Sequence, residues 1–292
     1  MKHKSIFRTL LAAALLVQAA FLSAQDFQGT ATYHSATKMN IKLKSPLGDD
    51  ALTEDLKKQL NKQMQKEYTL NFTLSESTWK ENESLSGGGM ASASSGGVTT
   101  QVITMGGGNK GILYKNTAEA RFEQEQDVFG KPFLVKDELQ KYDWQLTGET
   151  KKIGNYNCQQ AVYEKITTRK SFKMISSSVN DEETKENDME EVQDTIRVTA
   201  WFTPEIPVSH GPENYWGLPG LILELNNGST TMVCSKVVLN PKEGVELKMP
   251  SKGKEVSREE FRKIQEAKVE EMMKKYSGGG GGTFRISTGG GQ

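Results

Sequence analysis

Apolar residues recur at two different periods along this chain, and the switches between them divide it into elements. Residues 27–44 alternate loosely, with Ala31, Tyr33 and Met39 to Leu43 set among polar positions, as a strand with one wet face requires. Leu56, Leu60 and Met64 then recur every fourth residue, Thr53 supplies an N-cap, and Glu54 and Asp55 fall in the positive first turn, which predicts a helix over 53–66. Tyr68, Leu70, Phe72 and Leu74 return to period two and predict the clearest strand of the first half. Near the C-terminus Ser257 and Glu260 form a capping box, Val256 and Phe261 a hydrophobic staple, and Phe261, Ile264, Ala267 and Met272 an apolar stripe. These predict a helix over 257–276 that lays its stripe on a sheet.

Between the periodic segments the turn residues set the connections. Gly154-Asn155 predicts a turn into a strand carrying Cys158. In Leu218-Pro219-Gly220-Leu221, Pro219 presets the second position of a type II turn and Gly220 takes the positive φ at the third. Asn227-Gly228 is a strong two-residue hairpin signal, and as the loop it would pair Leu225 with Thr230, Leu223 with Met232 and Leu221 with Cys234. Residues 84–111 and 277–292 are Gly- and Ser-rich and bury too little apolar surface to offset their ordering entropy. They read as a flexible insertion and tail, the sharper alternative being strands that order against a partner. Residues 171–194 read as a solvated acidic excursion between strands.

The run Gly217, Leu218, Pro219, Gly220, Leu221, Ile222 resembles the signature of the GLPGLI family of secreted bacterial proteins. Two further segments are similar to that family's pattern: Trp144 to Glu164, which includes Gly-x-Tyr-x-Cys, and the lead-in from Trp201 through Pro204, Pro207, Gly211-Pro212 and Tyr215-Trp216. The resemblance implies a mainly β (α+β) fold, a single curved antiparallel β-sheet domain with packing helices near 53–66 and 257–276. It implies no activity, because the family has none established. By pattern such chains also resemble periplasmic lipoprotein carriers of curved-sheet type, a likeness at the level of fold alone.

The N-terminus carries Lys2, Lys4 and Arg8, an apolar run from Leu10 to Leu22, and Ser23-Ala24-Gln25, the pattern of a signal peptide cleaved after Ala24. The chain is therefore expected in the periplasm or secreted, with residues 25–276 as one β-rich domain. The apolar run falls short of the roughly 20 residues that span a bilayer, so an integral membrane protein is not expected. Removing the leader takes three basic residues and no acidic ones, leaving 34 against 37 and a net charge of −3. No basic field remains to hold phosphates, which argues against nucleic-acid binding. In an oxidising compartment Cys158 and Cys234, both on predicted strands, most simply form a disulfide, worth roughly 4 kcal/mol by loop closure. Buried free thiols are the alternative.

Candidate chemistry is sparse. After the leader the histidines are His34 and His210, neither beside a nucleophile elbow nor in a zinc motif, so both read as structural and no metal or cofactor is expected. The glycine runs lack the Lys-Ser/Thr of a phosphate loop, and the methionines lack the clustering of a copper carrier. Trp201, Phe202, Tyr215 and Trp216, held in an extended proline-containing segment, form a possible groove, or else they close the end of the core. These features point to a noncatalytic envelope protein that binds an outer-membrane or periplasmic partner through a sheet edge or its Gly-rich segments. The alternative is a carrier of a lipid or other apolar ligand in the cleft of a curved sheet, with an enzyme using carboxylates in third place. A filled core with an exposed edge would favour the interaction protein, and aliphatic positions facing a cavity would favour the carrier.

Overall fold

The computed structural model describes residues 27–37, 65–82, 90–95, 98–103, 111–172 and 189–277. Fourteen strands and one helix make up these residues. They are β1 (Gly29–Thr37), β2 (Lys66–Phe72), β3 (Glu76–Glu81), β4 (Met90–Ser95), β5 (Val98–Ile103), β6 (Leu113–Asn116), β7 (Arg121–Val128), β8 (Lys131–Glu138), β9 (Gln145–Ile153), β10 (Tyr156–Phe172), β11 (Met189–Thr203), β12 (Leu221–Asn226), β13 (Thr230–Leu239), β14 (Lys254–Val256) and α1 (Arg258–Ser277). Twelve strands form one open sheet in the order β14-β8-β7-β6-β3-β2-β1-β13-β12-β11-β10-β9, antiparallel throughout except where β14 lies parallel on β8. The Gly/Ser-rich insertion contributes the hairpin β4–β5, a separate two-stranded sheet.

Alternation sets what each face carries. In β1 the odd positions Ala31, Tyr33 and Ser35 are buried, and in β2 the even positions Leu70 and Phe72, while the residues between them are less buried. One large cluster then joins Tyr33, Leu70, Phe72, Trp79, Leu113, Phe122, Ile206, Val208, Leu221 and Leu223, with Phe261 of α1 packed on Phe133 at 5.7 Å. A second cluster gathers Val198, Ala200, Phe202, Tyr215, Leu218, Ile222 and Leu225.

Several expectations are met at residue level. Gly154 and Asn155 join β9 to β10, with Gly154 at φ 58°. The capping box forms as Ser257 N–H to Glu260 Oε2 at 2.8 Å and Glu260 N–H to Ser257 Oγ at 3.2 Å, and both staple residues, Val256 and Phe261, are buried. α1 is the one helix among the described residues. The helix expected over 53–66 lies outside them, except that Gln65 is already irregular and Lys66 opens β2. Residues 1–24, expected to be a leader, the Gly-rich tail and most of the acidic segment also lie outside. The ends of that segment are nevertheless strand: 171–172 finish β10 and 189–194 begin β11, paired from Gln159–Phe202 out to Phe172–Met189. Leu74 lies beyond the end of β2 and is exposed.

Two turn readings change. The β12–β13 hairpin pairs Leu225 with Met232 and Glu224 with Val233, and Asn227 N–H donates to Thr230 O, so the loop is Gly228-Ser229 rather than Asn227-Gly228. Gly228 at φ 94° suits the first central position of a type II′ turn. The loop moves by one residue and each partner by two, which keeps every side chain on its expected face. In the signature, the positive φ belongs to Gly217, at 98°, and not to Gly220. Gly220 N–H donates to Leu218 O at 2.9 Å, a three-residue turn centred on Pro219, and Val208 N–H likewise donates to Ile206 O around Pro207. Gly220 is required for a different reason: a Cβ there would lie 2.2 Å from Thr203 O and 2.6 Å from Thr203 C. Gly220→Ala should therefore destabilise the fold by about 2 kcal/mol or more through overpacking, read as the midpoint of urea unfolding. An unchanged midpoint would remove this close approach from the account.

Candidate functional site

Residues 204–220, between β11 and β12, form a strap that carries most of the family-like signature. It crosses the face of the sheet that bears Tyr33, Phe72, Leu113 and Lys115. Its backbone is fixed by Leu221 N–H to Ile206 O and Ile222 N–H to His210 O, both 3.0 Å, and by a bridge between His210 and Trp216. Tyr33 donates its hydroxyl to Ile222 O at 2.8 Å. Gly211 fits because a Cβ would meet Ile222 Cδ1 at 2.6 Å.

Beneath the strap lies Lys115, fully buried on β6 and on the same face as Leu113. Its Nζ donates to Gly211 O at 2.8 Å, Glu213 O at 2.5 Å and Tyr215 O at 3.3 Å, which uses all three N–H donors of an ammonium. Burial pulls this amine down to about 7, and the Glu213 carboxylate pulls the other way. Glu213 is half-buried at φ 50°, and burial raises its own carboxyl against the opposing effects of Lys115 and Lys165. His210 is fully buried, and burial, reinforced by the Lys115 charge, holds its imidazole down to about 3, so it is neutral at physiological pH. Among the described residues Ser77 Oγ and Asn214 Oδ1 are buried without a hydrogen-bond partner, and the His210 ring nitrogens find none of good geometry although the Thr73 backbone acts on the imidazole. Ser77 is the ladder partner of Lys115, so the two side chains are cross-strand neighbours.

A serine beside a lysine of lowered pKa is the chemistry of a Ser–Lys nucleophile pair. Here Ser77, Lys115 and His210 are all sealed from solvent, and the ammonium is saturated by carbonyls. The arrangement is that of a clamp. Beside it, Tyr142, Trp144, Tyr163 and Tyr215 pack ring against ring at 5.1 to 6.3 Å, and Trp144 Nε1–H donates to Trp216 O while Trp216 Nε1–H donates to Gln140 O, both 2.8 Å.

The residues expected to line a groove are not brought together as one. Trp201 packs in the larger core cluster, with Lys151 Nζ 4.3 Å from its ring centre, and Phe202 and Tyr215 lie in the smaller cluster. Trp216 leans on the larger one. Trp201 and Phe202 sit on β11, and Tyr215 and Trp216 on the strap packed over the sheet, so the rings fill core, the other reading the sequence offered. Cys158 and Cys234 are free thiols, so the expected disulfide is not formed in this structure. In the sheet order β11 and β12 stand between β10, which carries Cys158, and β13, which carries Cys234. Burial pushes both thiols up to about 11. His34 lies half-exposed on β1 beside Glu67 at 3.7 Å. Among the described residues no group of three His, Cys, Asp or Glu converges as for a metal ion, and no helix is long and apolar enough to cross a membrane. Lys115 escaped sequence reading, although its place at an inward position two residues from Leu113 was a usable signal.

This is a mainly β protein with one open, largely antiparallel sheet closed over on one face by its own strap. Residues 144–224 match the model of a family described as protein of unknown function (Porph_ging), a region that begins at Trp144 and ends two residues after the signature. No curated protein matches the chain. Two structures of PNGF-II, in space groups C2 and P21, are 13% identical over 83% of this chain, with TM-scores of 0.45 and 0.44. The chain spans about a third of their length (33% and 34%), a likeness too distant to carry function.

The lysine clamp has a pH signature. Lys115 has a folded pKa below its ordinary value of about 10.4, so between about 7 and 10 the unfolded chain holds a proton that the folded chain has released. Stability from this group therefore rises with pH across that window. Lys115→Met should cost about 3 kcal/mol near neutrality by stranding three carbonyls, and the gap from wild type should widen between about pH 6 and pH 9 in urea titrations. A gap that narrows would contradict the lowered pKa.

Proposed function

We propose that this chain is a noncatalytic envelope protein, exported to the periplasm, that binds a protein partner through the arm formed by β10 and β11. The observation that carries this reading is the length of those strands. β9 pairs with β10 only from Tyr156 to Val162, and β12 pairs with β11 only from Thr199 to Thr203, yet β10 and β11 stay paired with each other out to Phe172 and Met189. Some ten residue pairs, roughly 30 Å at 3.3 Å per residue, thus form a two-stranded ribbon with no other described strand on either edge. Ile166, near its base, is 71% exposed. A two-stranded ribbon is marginal alone in water and gains from a third strand, and its free backbone N–H and C=O groups are what strand addition uses.

The main sheet's own edges serve this purpose less well. β14 is three residues long, and β9 breaks its pairing opposite Gln159–Ala161 around Gly148, at φ 80°, with Lys151 and Lys152 beyond. Short strands, bulges and lysines are the usual protection of an edge. The carrier reading loses support because the side chains a carrier would turn to its cargo, Tyr33, Leu70, Phe72 and Leu113, are covered by the chain's own strap. The sealed Ser77, Lys115 and His210 likewise give an enzyme reading no open site. Placement in the GLPGLI family draws on the 144–224 match together with Gly217 to Ile222, and export draws on residues 1–24.

Replacing residues 167–194 with an Asn-Gly turn would close the arm at the Ile166–Thr195 pair. Cross-linking in intact cells of its own host should yield a partner with the full-length chain and lose it with the shortened one, at unchanged melting temperature. A partner retained by the shortened chain would contradict the arm as the binding element.

A further inference from the structure

On the face opposite the strap, the polar positions fall into rows. Thr30, Asn71 and Thr78 are ladder partners across β1, β2 and β3, and Thr32, Thr69 and Lys80 form the next row. An ordered coil lies against them. Asn240 N–H donates to Gln28 O, Gln28 N–H to Asn240 Oδ1, and Val245 N–H to Gln28 Oε1 at 2.8 Å, which fixes the stretch from Asn240 to Val245 as a wall. Between wall and sheet is a cleft of about 400 Å³, also lined by Ile112, Glu246 and Lys248.

The cleft's polar groups are only partly used by the protein. Thr30 Oγ1 donates to Asn71 Oδ1 at 2.9 Å, which leaves the Asn71 amide N–H groups without an acceptor among the described residues. Thr69 Oγ1 donates to Asn82 Oδ1 at 2.8 Å, and the Asn82 amide is taken by Glu67 at 2.6 Å. Lys80 and Lys248 are exposed and have no carboxylate within salt-bridge distance among the described residues, so two ammonium groups face one carboxylate, Glu246.

We propose that this cleft binds an acidic saccharide. Rows of hydroxyl and amide groups at strand spacing suit a ligand with many hydroxyls, the two lysines and the Asn71 amide suit its carboxylate, and Glu246 accepts from a sugar hydroxyl. Among the described residues no aromatic ring lines the cleft to stack a nucleobase, and the donors are side chains on a sheet face, whereas an extended peptide would pair with backbone at an edge. The proposal adds a ligand to the binding reading and does not depend on the arm, so the chain shortened at 167–194 retains it and the two can fail separately.

The test is calorimetric titration of the full mature chain with an oligogalacturonate, its neutral methyl ester, and inorganic phosphate. The expected result is saturable binding of the oligogalacturonate, at least tenfold weaker for the ester and for phosphate. Lys80→Ala with Lys248→Ala, both exposed and outside the core, should weaken it at least tenfold with the urea midpoint unchanged, and Asn71→Ala should weaken it further. No saturable binding by wild type, equal binding of the ester, equal binding of phosphate, or wild-type affinity in the double lysine variant would each overturn the proposal.

Discussion

The ammonium of Lys115, held by three backbone carbonyls of one strap, is the contact on which the rest of this structure depends. A lysine placed inward on a strand would ordinarily be a large desolvation cost. Here the strap brings Gly211, Glu213 and Tyr215 to it and satisfies every donor, so sheet and strap each supply what the other lacks. The same constraint explains the composition of the strap. Pro207 and Pro219 bend it in three-residue turns, Gly217 takes a backbone conformation other residues resist, and Gly211 and Gly220 let backbone approach Ile222 and Thr203 closely. A segment that reads as a functional signature is, in this chain, the packing of a loop onto a sheet.

Covering that face has consequences for what the protein presents outward. With the aromatic and aliphatic side chains of one face consumed internally, two of the surfaces that the described residues present are the ribbon edges of β10–β11 and the polar rows across β1, β2 and β3. They differ in chemistry. The ribbon offers unpaired backbone groups and Ile166, whereas the rows offer hydroxyls, an amide and two lysines. They also lie on different parts of the sheet, since β10 and β11 are separated from β1 by β12 and β13. A protein with both can join a polymer to a protein without either site competing for the other.

Local rules were legible where neighbours in sequence are neighbours in space. The Ser257–Glu260 capping box, the Val256–Phe261 staple and the Gly154-Asn155 turn all involve residues within five of one another, and each forms as its pattern predicts. Long-range packing was not legible. The role of Gly220 is set by Thr203, which lies on another strand, and a Leu-Pro-Gly pattern alone cannot separate a type II turn from a tighter one. The length of β11 was hidden because Glu190, Glu191, Gln193 and Asp194 are polar on either side of Val192 and break the alternation that marks a half-buried strand. For Trp201, Phe202, Tyr215 and Trp216 the pattern left a groove and a closed core as alternatives, and the choice depends on how residues 204–220 pack across the sheet, which no local spacing encodes. Cys158 and Cys234 shared a plausible compartment, but pairing depends on strand order, which no spacing in the chain encodes.

The strap occupies the face where a carrier of curved-sheet type would hold cargo. Native mass spectrometry of the protein, purified from its own host without detergent, tests this most directly. The account predicts the mass of the polypeptide with no apolar adduct. A reproducible added mass that dissociates as a lipid would contradict it, because among the described residues the large apolar face of the sheet lies under the strap.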